Sequence, residues 1–129
     1  LAKMLLPFRL GGGGPVGSGR QYWSWISLHD LASSVRHVLA NYSIHCAVNA
    51  VSPEPVTNLE FTRTLCRVLR RPTLVPFPSF AAKLILGEMA QELLLSSTRV
   101  YPRELERSGF PFAHPSLETA LRALLKDDA

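Results

Sequence analysis

The residues best suited to ligand chemistry lie in a glycine-rich segment near the start of the chain. Six of the ten residues from 10 to 19 are glycine, and Arg20 follows directly. Glycine adopts positive φ angles and lets a backbone approach a ligand closely. Backbone N–H groups and a guanidinium both suit phosphate oxygens. The segment therefore predicts either a phosphate-binding loop or a structural turn whose glycines only permit the path of the chain.

These glycines do not form a dinucleotide-binding fingerprint, which requires a strand, G-x-G-x-x-G and then a helix. Gly11 to Gly14 are followed by Pro15, and the element expected after Gly19 is a strand. None of the three tyrosines has a lysine four residues later to form an acid–base pair. We therefore expect no cofactor-binding and no catalytic residues in this chain.

The histidines and cysteines do not have the spacing of a metal site. The four histidines are scattered along the chain, at His29, His37, His45 and His114. Cys46 and Cys66 show neither CxxC spacing nor a disulfide framework. We expect no metal site, and we expect buried, reduced thiols in a reducing compartment such as the cytoplasm.

Composition predicts a folded domain without a membrane or nucleic-acid partner. Of the 129 residues, 47% are hydrophobic and 19% charged, which is typical of globular proteins. No run of about 18 apolar residues could span a membrane, and the first residues do not form a signal peptide. The basic helical face of Arg63, Arg67, Arg70 and Arg71 has no interleaved aromatics and predicts a solvated surface. Because the chain starts at Leu1 and enters an apolar segment at once, we expect a truncation.

Hydrophobic periodicity predicts the elements of the first half. Over residues 22–28, successive side chains would alternate between two faces, and this pattern predicts a strand. Ser27 and Asp30 predict the start of a helix that ends near Asn41. Its core-facing stripe would be Leu31, Val35, Val38 and Leu39. A second strand is expected over 46–51.

Capping signals predict the helices of the second half. Thr57 and Glu60 form a capping box for a helix that Pro72 would end, with an apolar face of Phe61, Leu65, Val68 and Leu69. The sequence also predicts short strands over 73–77 and 99–101, and an apolar helix over 80–95. Pro102 would begin a short helix that ends at Gly109. Ser116 would cap the last helix, with Leu117, Ala120, Leu121, Leu124 and Leu125 facing inward.

Short strands alternating with about five helices predict the α/β class, or α+β for the chain by itself. The long apolar strands of a complete central sheet are absent from the sequence.

Several peptides, in order along nearly the whole chain, carry a resemblance to a known family. The run MLLPFRLGGGGPVGSGRQYWSWISLHDL resembles the middle of extended, or atypical, short-chain dehydrogenase/reductase proteins of the epimerase family, which are described as nucleoside-diphosphate-sugar epimerases. The small helical domain that closes those proteins is resembled by four later peptides, PVTNLEFTRTL, RRPTLVPFPSFAAKLILGE, RVYPRELERSGFPF and PSLETALRALL.

The resemblance implies a C-terminal portion of a Rossmann-type protein without its cofactor-binding sheet. Residues 1–52 would end the epimerase-like domain, and 53–129 would form the small, mainly helical domain. The missing N-terminal domain of the same protein would bind NAD or NADP. Without that partner, exposed apolar surface would favour self-association. A cytoplasmic location is implied, or an organellar one if a transit peptide precedes the chain.

The family pattern G-S-G-x-Q-x-x-x-W-I-H-x-x-D coincides with this sequence at several residues. They are Gly17, Ser18, Gly19, Gln21, Trp25, Ile26 and Asp30. Ser27 stands where the family usually has histidine, and His29 where it often has aspartate. Of these residues, Gly17, Ser18, Gly19, Gln21 and Trp25, together with Arg20, are the substrate-binding candidates, for a nucleotide-sugar.

Two functions stay open. The chain is either the substrate-binding lobe of an NAD(P)-dependent epimerase or oxidoreductase, inactive alone, or a non-catalytic binding or protein-interaction module derived from that fold. Trp25 could stack on a base or sugar, or belong to a core.

Overall fold

Four helices and two very short strands lie among the residues that the structure describes. The structure, a computed structural model, describes residues 14–70 and 96–126, together with Leu5 and Phe8. The elements in chain order are β1 (Tyr22–Trp23), α1 (Leu28–Ala40), β2 (Val56–Thr57), α2 (Asn58–Val68), α3 (Arg103–Arg107) and α4 (Leu117–Lys126).

The chain divides into two compact units. The first is drawn from Leu1–Trp23 and Val56–Thr98 and contains β1, β2 and α2. The second is drawn from Ser24–Pro55 and Arg99–Ala129 and contains α1, α3 and α4. Buried apolar side chains of the first unit include Leu5, Phe8, Val16, Phe61, Leu65 and Cys66. Those of the second include Leu105, Phe110, Leu117, Ala120 and Leu121.

Helix α1 begins and ends where its caps predict, but it buries a different face. The Ser27 hydroxyl accepts the N–H of Asp30 at 3.1 Å, and Asn41 is the C-cap. The buried residues are polar, Asp30 and Ser34. The predicted core stripe is wrong, because Leu31, Val35 and Leu39 are 37%, 52% and 74% exposed. Periodicity identifies an apolar face but not the element that covers it.

The predicted strands that fall within the described residues are shorter than expected or absent. Of residues 22–28, only Tyr22 and Trp23 belong to a strand, which pairs antiparallel to Thr57 and Val56. After Trp23, the backbone forms hydrogen bonds outside this sheet, and the carbonyl of Trp25 accepts the N–H of Ser52 at 2.6 Å. Residues 46–51 and 99–101 have no strand structure. The prediction of a buried Cys46 was also wrong, since its side chain is exposed on the irregular segment, whereas Cys66 is buried as expected.

The capping box of α2 is confirmed. The Thr57 hydroxyl accepts the N–H of Glu60, while the Glu60 carboxylate accepts the N–H and hydroxyl of Thr57 at 2.7 and 2.9 Å. These two bonds hold the pKa of Glu60 below its usual value. The helix ends at Val68, before Pro72, because Arg70 adopts a left-handed φ of 54°.

Local signals in the sequence also account for the ends of α3 and for most of the buried face of α4. Pro102 directly precedes α3, and Gly109 adopts a φ of 73° after it. The N–H groups of Gly109 and Phe110 bond to the carbonyls of Glu106 and Leu105, which is a Schellman motif. Along α4, Leu117, Ala120 and Leu121 are buried as predicted. The inward placement of Leu124 is wrong, since it is 45% exposed.

The strand over 73–77 and the helix over 80–95 stay predictions, because they lie outside the described residues. The described residues contain four of the five helices expected.

Candidate functional site

The glycine-rich segment forms a tight turn where the structure describes it. Gly17 and Gly19 adopt φ angles of 61° and 68°, as their residue type permits. The N–H of Gly19 donates to the carbonyl of Val16 at 3.2 Å and closes the turn. Three of the substrate-binding candidates, Gly17, Ser18 and Gly19, therefore belong to one local structure.

This turn is anchored to the first turn of α2. The N–H groups of Asn58 and Leu59 donate to the carbonyls of Gln21 and Gly19 at 2.9 and 3.0 Å. The buried Asn58 side chain accepts the N–H of Val16 at 2.7 Å through its Oδ1 atom. These donors already have acceptors, so the start of α2 is bonded to the turn itself rather than open to an anion. The sequence reasoning missed Asn58, whose partner is 42 positions away.

Two exposed side chains of the turn face solvent. Ser18 and Arg20 are both exposed, and the Ser18 hydroxyl accepts the N–H of Arg20 at 3.4 Å. Among the residues that the structure describes, no acidic side chain pairs with Arg20. An exposed guanidinium suits a phosphate or carboxylate ligand. Of the candidates in this turn, Arg20 is the strongest.

Gln21 and Trp25 have structural partners in separate units. The side-chain amide of Gln21, buried in the first unit, donates to the carbonyl of Val16 at 2.9 Å. The indole N–H of Trp25, in the second unit, donates to the carbonyl of Glu54 at 2.7 Å. Trp23 packs edge-on against Phe61, with ring centroids 5.2 Å apart. Ligand contact by Gln21 and Trp25 stays a prediction.

We expect Gly19→Ala to destabilise the protein more than Gly109→Ala. Both positions have positive φ, which costs a residue with a Cβ about 1–2 kcal/mol. A Cβ at Gly19 would also lie 3.3 Å from the Cβ atoms of Leu59 and Pro15, whereas one at Gly109 meets nothing within 4 Å. Urea unfolding of both variants measures the difference. Equal losses of unfolding free energy in the two variants would contradict a close packing of this turn against α2.

In the second unit, a second group of polar residues meets beside the start of α1. The buried Asp30 carboxylate accepts the N–H of Ala113 through Oδ1 and that of His114 through Oδ2, both at 2.9 Å. The Nδ1 atom of His29 lies 3.4 Å from Oδ1. The Nδ1 atom of His114 lies 3.1 Å from the hydroxyl of Ser27. Ser27 and His29, the two departures from the family pattern, both belong to this group.

The sequence reasoning treated Asp30 as a helix-start residue and His29 and His114 as unrelated. Burial by itself would raise the pKa of Asp30, and hydrogen bonds from the amides of Ala113 and His114 oppose that effect. The side chains of His29 and Ser27 act in the same direction, so the pKa of this carboxyl lies below its usual value. A carboxylate held ionised among two imidazoles is a feature that only the folded chain reveals.

The sequence and the structure of this chain are similar to those of known proteins. The chain is 38% identical over 125 residues to the human epimerase family protein SDR39U1, covering 97% of this chain and 43% of that protein. The crystal structure of the human protein with NADPH matches 98% of this chain with a TM-score of 0.89 and 37% identity. This chain corresponds to the C-terminal part of an epimerase family protein.

Two further matches support that assignment. The nucleoside-diphosphate sugar epimerase of Corynebacterium glutamicum has a TM-score of 0.64 and 26% identity, covering 91% of this chain and 21% of that one. A domain of unknown function, DUF1731, matches residues 77–124. The chain spans less than half the length of the relatives it matches. Within the described residues, no helix is both long and apolar enough to cross a membrane.

Proposed function

We propose that this chain is the substrate-binding lobe of an NADP-dependent epimerase-type oxidoreductase and is inactive alone. The observation that carries the proposal is the match of 98% of this chain to 43% of a human epimerase family structure that contains NADPH. The Rossmann fingerprint and the tyrosine–lysine pair are absent from the 129 residues of this chain. Cofactor binding and acid–base chemistry would therefore reside in the remainder of the full-length protein.

An exposed apolar stripe on α1 supports a partner domain. Leu28, Leu31, Val35 and Leu39 recur at helical spacing and are 78%, 37%, 52% and 74% exposed. An apolar face of this kind on a soluble protein marks an interaction surface. We assign it to the cofactor domain of the same protein, which would cover it. In the isolated chain the same face would support self-association.

The role assigned to the turn at 17–21 is to hold the diphosphate of a nucleotide-sugar. Arg20 supplies a guanidinium at a surface position, and Ser18 supplies a hydroxyl beside it. A nicotinamide cofactor would supply hydride transfer, while this lobe would orient the sugar. The cytoplasm is the proposed compartment, consistent with two free cysteines. A relative in Arabidopsis thaliana is chloroplastic, so an organelle is the alternative.

The test uses the full-length protein that contains this chain, beside the chain itself. We expect NADPH to bind only the full-length protein, measured by nicotinamide fluorescence. UDP-glucose should then bind that protein, and Arg20→Ala should weaken this binding about tenfold, the effect of a lost charged contact. NADPH affinity should not change. Arg63→Ala, which removes another exposed arginine of the same unit, is the matched control.

Each result decides between the two functions that the sequence left open. Binding of NADPH to the isolated chain would overturn this division of labour between the two parts of the protein. Absence of NADPH binding in the full-length protein would favour a non-catalytic interaction module, with the α1 stripe as its contact surface. Equal effects of Arg20→Ala and Arg63→Ala would remove the turn from the substrate site.

A further inference from the structure

Three side chains of metal-ligating type converge in the second unit, whereas the glycine turn belongs to the first. His29, Asp30 and His114 each offer one ligand atom, and these atoms all lie within 4.8 Å of one another. The Nδ1 atom of His29 is 3.4 Å from Oδ1 of Asp30, and that of His114 is 3.9 Å from Oδ2. Two ligands of a tetrahedral Zn²⁺ lie about 3.3 Å apart. Small rotations of the imidazoles would therefore bring all three to bonding distance.

The carboxylate of this group is already oriented. Its two oxygens accept the N–H groups of Ala113 and His114, and its side chain is only 2% exposed. Hydrogen bonds of this kind hold a ligating carboxylate in position. Each oxygen retains lone-pair capacity for a cation after accepting one N–H. The first turn of α1 and the backbone at 113–114 thus build a rigid base for the group.

The imidazoles provide access from solvent. The side chain of His29 is 62% exposed and that of His114 is 23% exposed. A hydrated cation could therefore approach from the side of His29, and water would complete its coordination. The positive end of the α1 dipole opposes a cation at this point. Binding consequently needs the charge of Asp30 together with both imidazole nitrogens.

We propose that His29, Asp30 and His114 form a binding site for a divalent transition-metal cation of the Zn²⁺ class. Two imidazoles with one carboxylate are the donor set that such cations prefer, whereas Mg²⁺ and Ca²⁺ prefer oxygen ligands. The bound ion would join the start of α1 to the segment that precedes α4. This role is independent of the substrate site proposed above.

The experiment titrates Zn²⁺ into the chelator-treated chain by calorimetry, without an affinity tag. We expect one equivalent to bind, and we expect His29→Ala and His114→Ala to weaken binding about tenfold or more. His45→Ala is the matched control, because His45 is exposed beside the exposed Cys46 and lies outside the group. It should leave binding unchanged. Asp30 is left in place, because its loss would also destabilise the fold.

A second measurement separates a built site from a disturbed fold. Zn²⁺ should raise the Tm of the unaltered chain and of His45→Ala, because a ligand that binds only the folded state stabilises it. It should raise the Tm of His29→Ala less at the same Zn²⁺ concentration. The side chain of His29 is mostly exposed and can be removed without unfolding the protein. The proposal is overturned if no equivalent binds, if His45→Ala loses binding equally, or if both cluster variants bind as tightly as the unaltered chain.

Discussion

Replacement of Asp30 with alanine is expected to destabilise the protein by about 2–4 kcal/mol, since it removes the acceptor of two part-buried N–H groups. The carboxylate is the acceptor for the N–H groups of Ala113 and His114. Its residue is only 1% exposed, so water cannot replace it without a rearrangement. Urea unfolding followed by far-ultraviolet circular dichroism measures the loss.

Asp30→Asn should show an intermediate loss, because its single carbonyl oxygen can accept only one of the two bonds in the same geometry. Its amide group would face the other N–H. Glu104→Gln is the control, since it removes a carboxylate from a surface pair with Arg107 and should cost no more than about 0.5 kcal/mol. A loss for Asp30→Ala as small as that of the control would show that the two N–H groups find other acceptors.

Leu65→Ala should cost about 2–5 kcal/mol, the range for buried leucines truncated to alanine. Leu65 is 0% exposed on the inner face of α2, in the same unit as the buried Phe61 and Cys66. Truncation removes apolar contacts and leaves a cavity that the neighbours fill only in part. The midpoint of urea unfolding should fall accordingly.

Leu39→Ala is the matched control for Leu65→Ala. Leu39 is 74% exposed, so its truncation in this chain should change the free energy of unfolding by less than about 0.5 kcal/mol. In the full-length protein the same substitution should cost more if the α1 stripe is covered by the cofactor domain. Equal, small effects of Leu39→Ala in both proteins would argue against that covering.

Local signals in the sequence predict where the described helices begin and where α1 and α3 end. The Ser27 cap, the capping box of Thr57 and Glu60, and the glycine after α3 all appear in the structure. These signals are reliable because each consists of hydrogen bonds or φ angles within a few residues of a helix end. Gly17 and Gly19 also permit the positive φ angles that the structure shows at these positions.

The burial of helix faces is less predictable. Leu31, Val35 and Leu39 have the spacing of a core stripe, yet they are exposed in this chain. The last helix shows the same limit, since Leu121 is buried and Leu124 is exposed. Strands depend even more on distant partners, and residues 24–28 and 46–51 form none although their alternation or apolar content suggests it.

The sequence by itself determined where the four described helices begin, and the absence of a Rossmann fingerprint from these 129 residues. Its peptides also predicted the epimerase family. Only the tertiary structure decided which faces are buried, that Asn58 anchors the turn, and that His29, Asp30 and His114 meet. The physical reason is separation along the chain: caps and turns are closed by neighbours, whereas Asp30 and His114 are 84 positions apart.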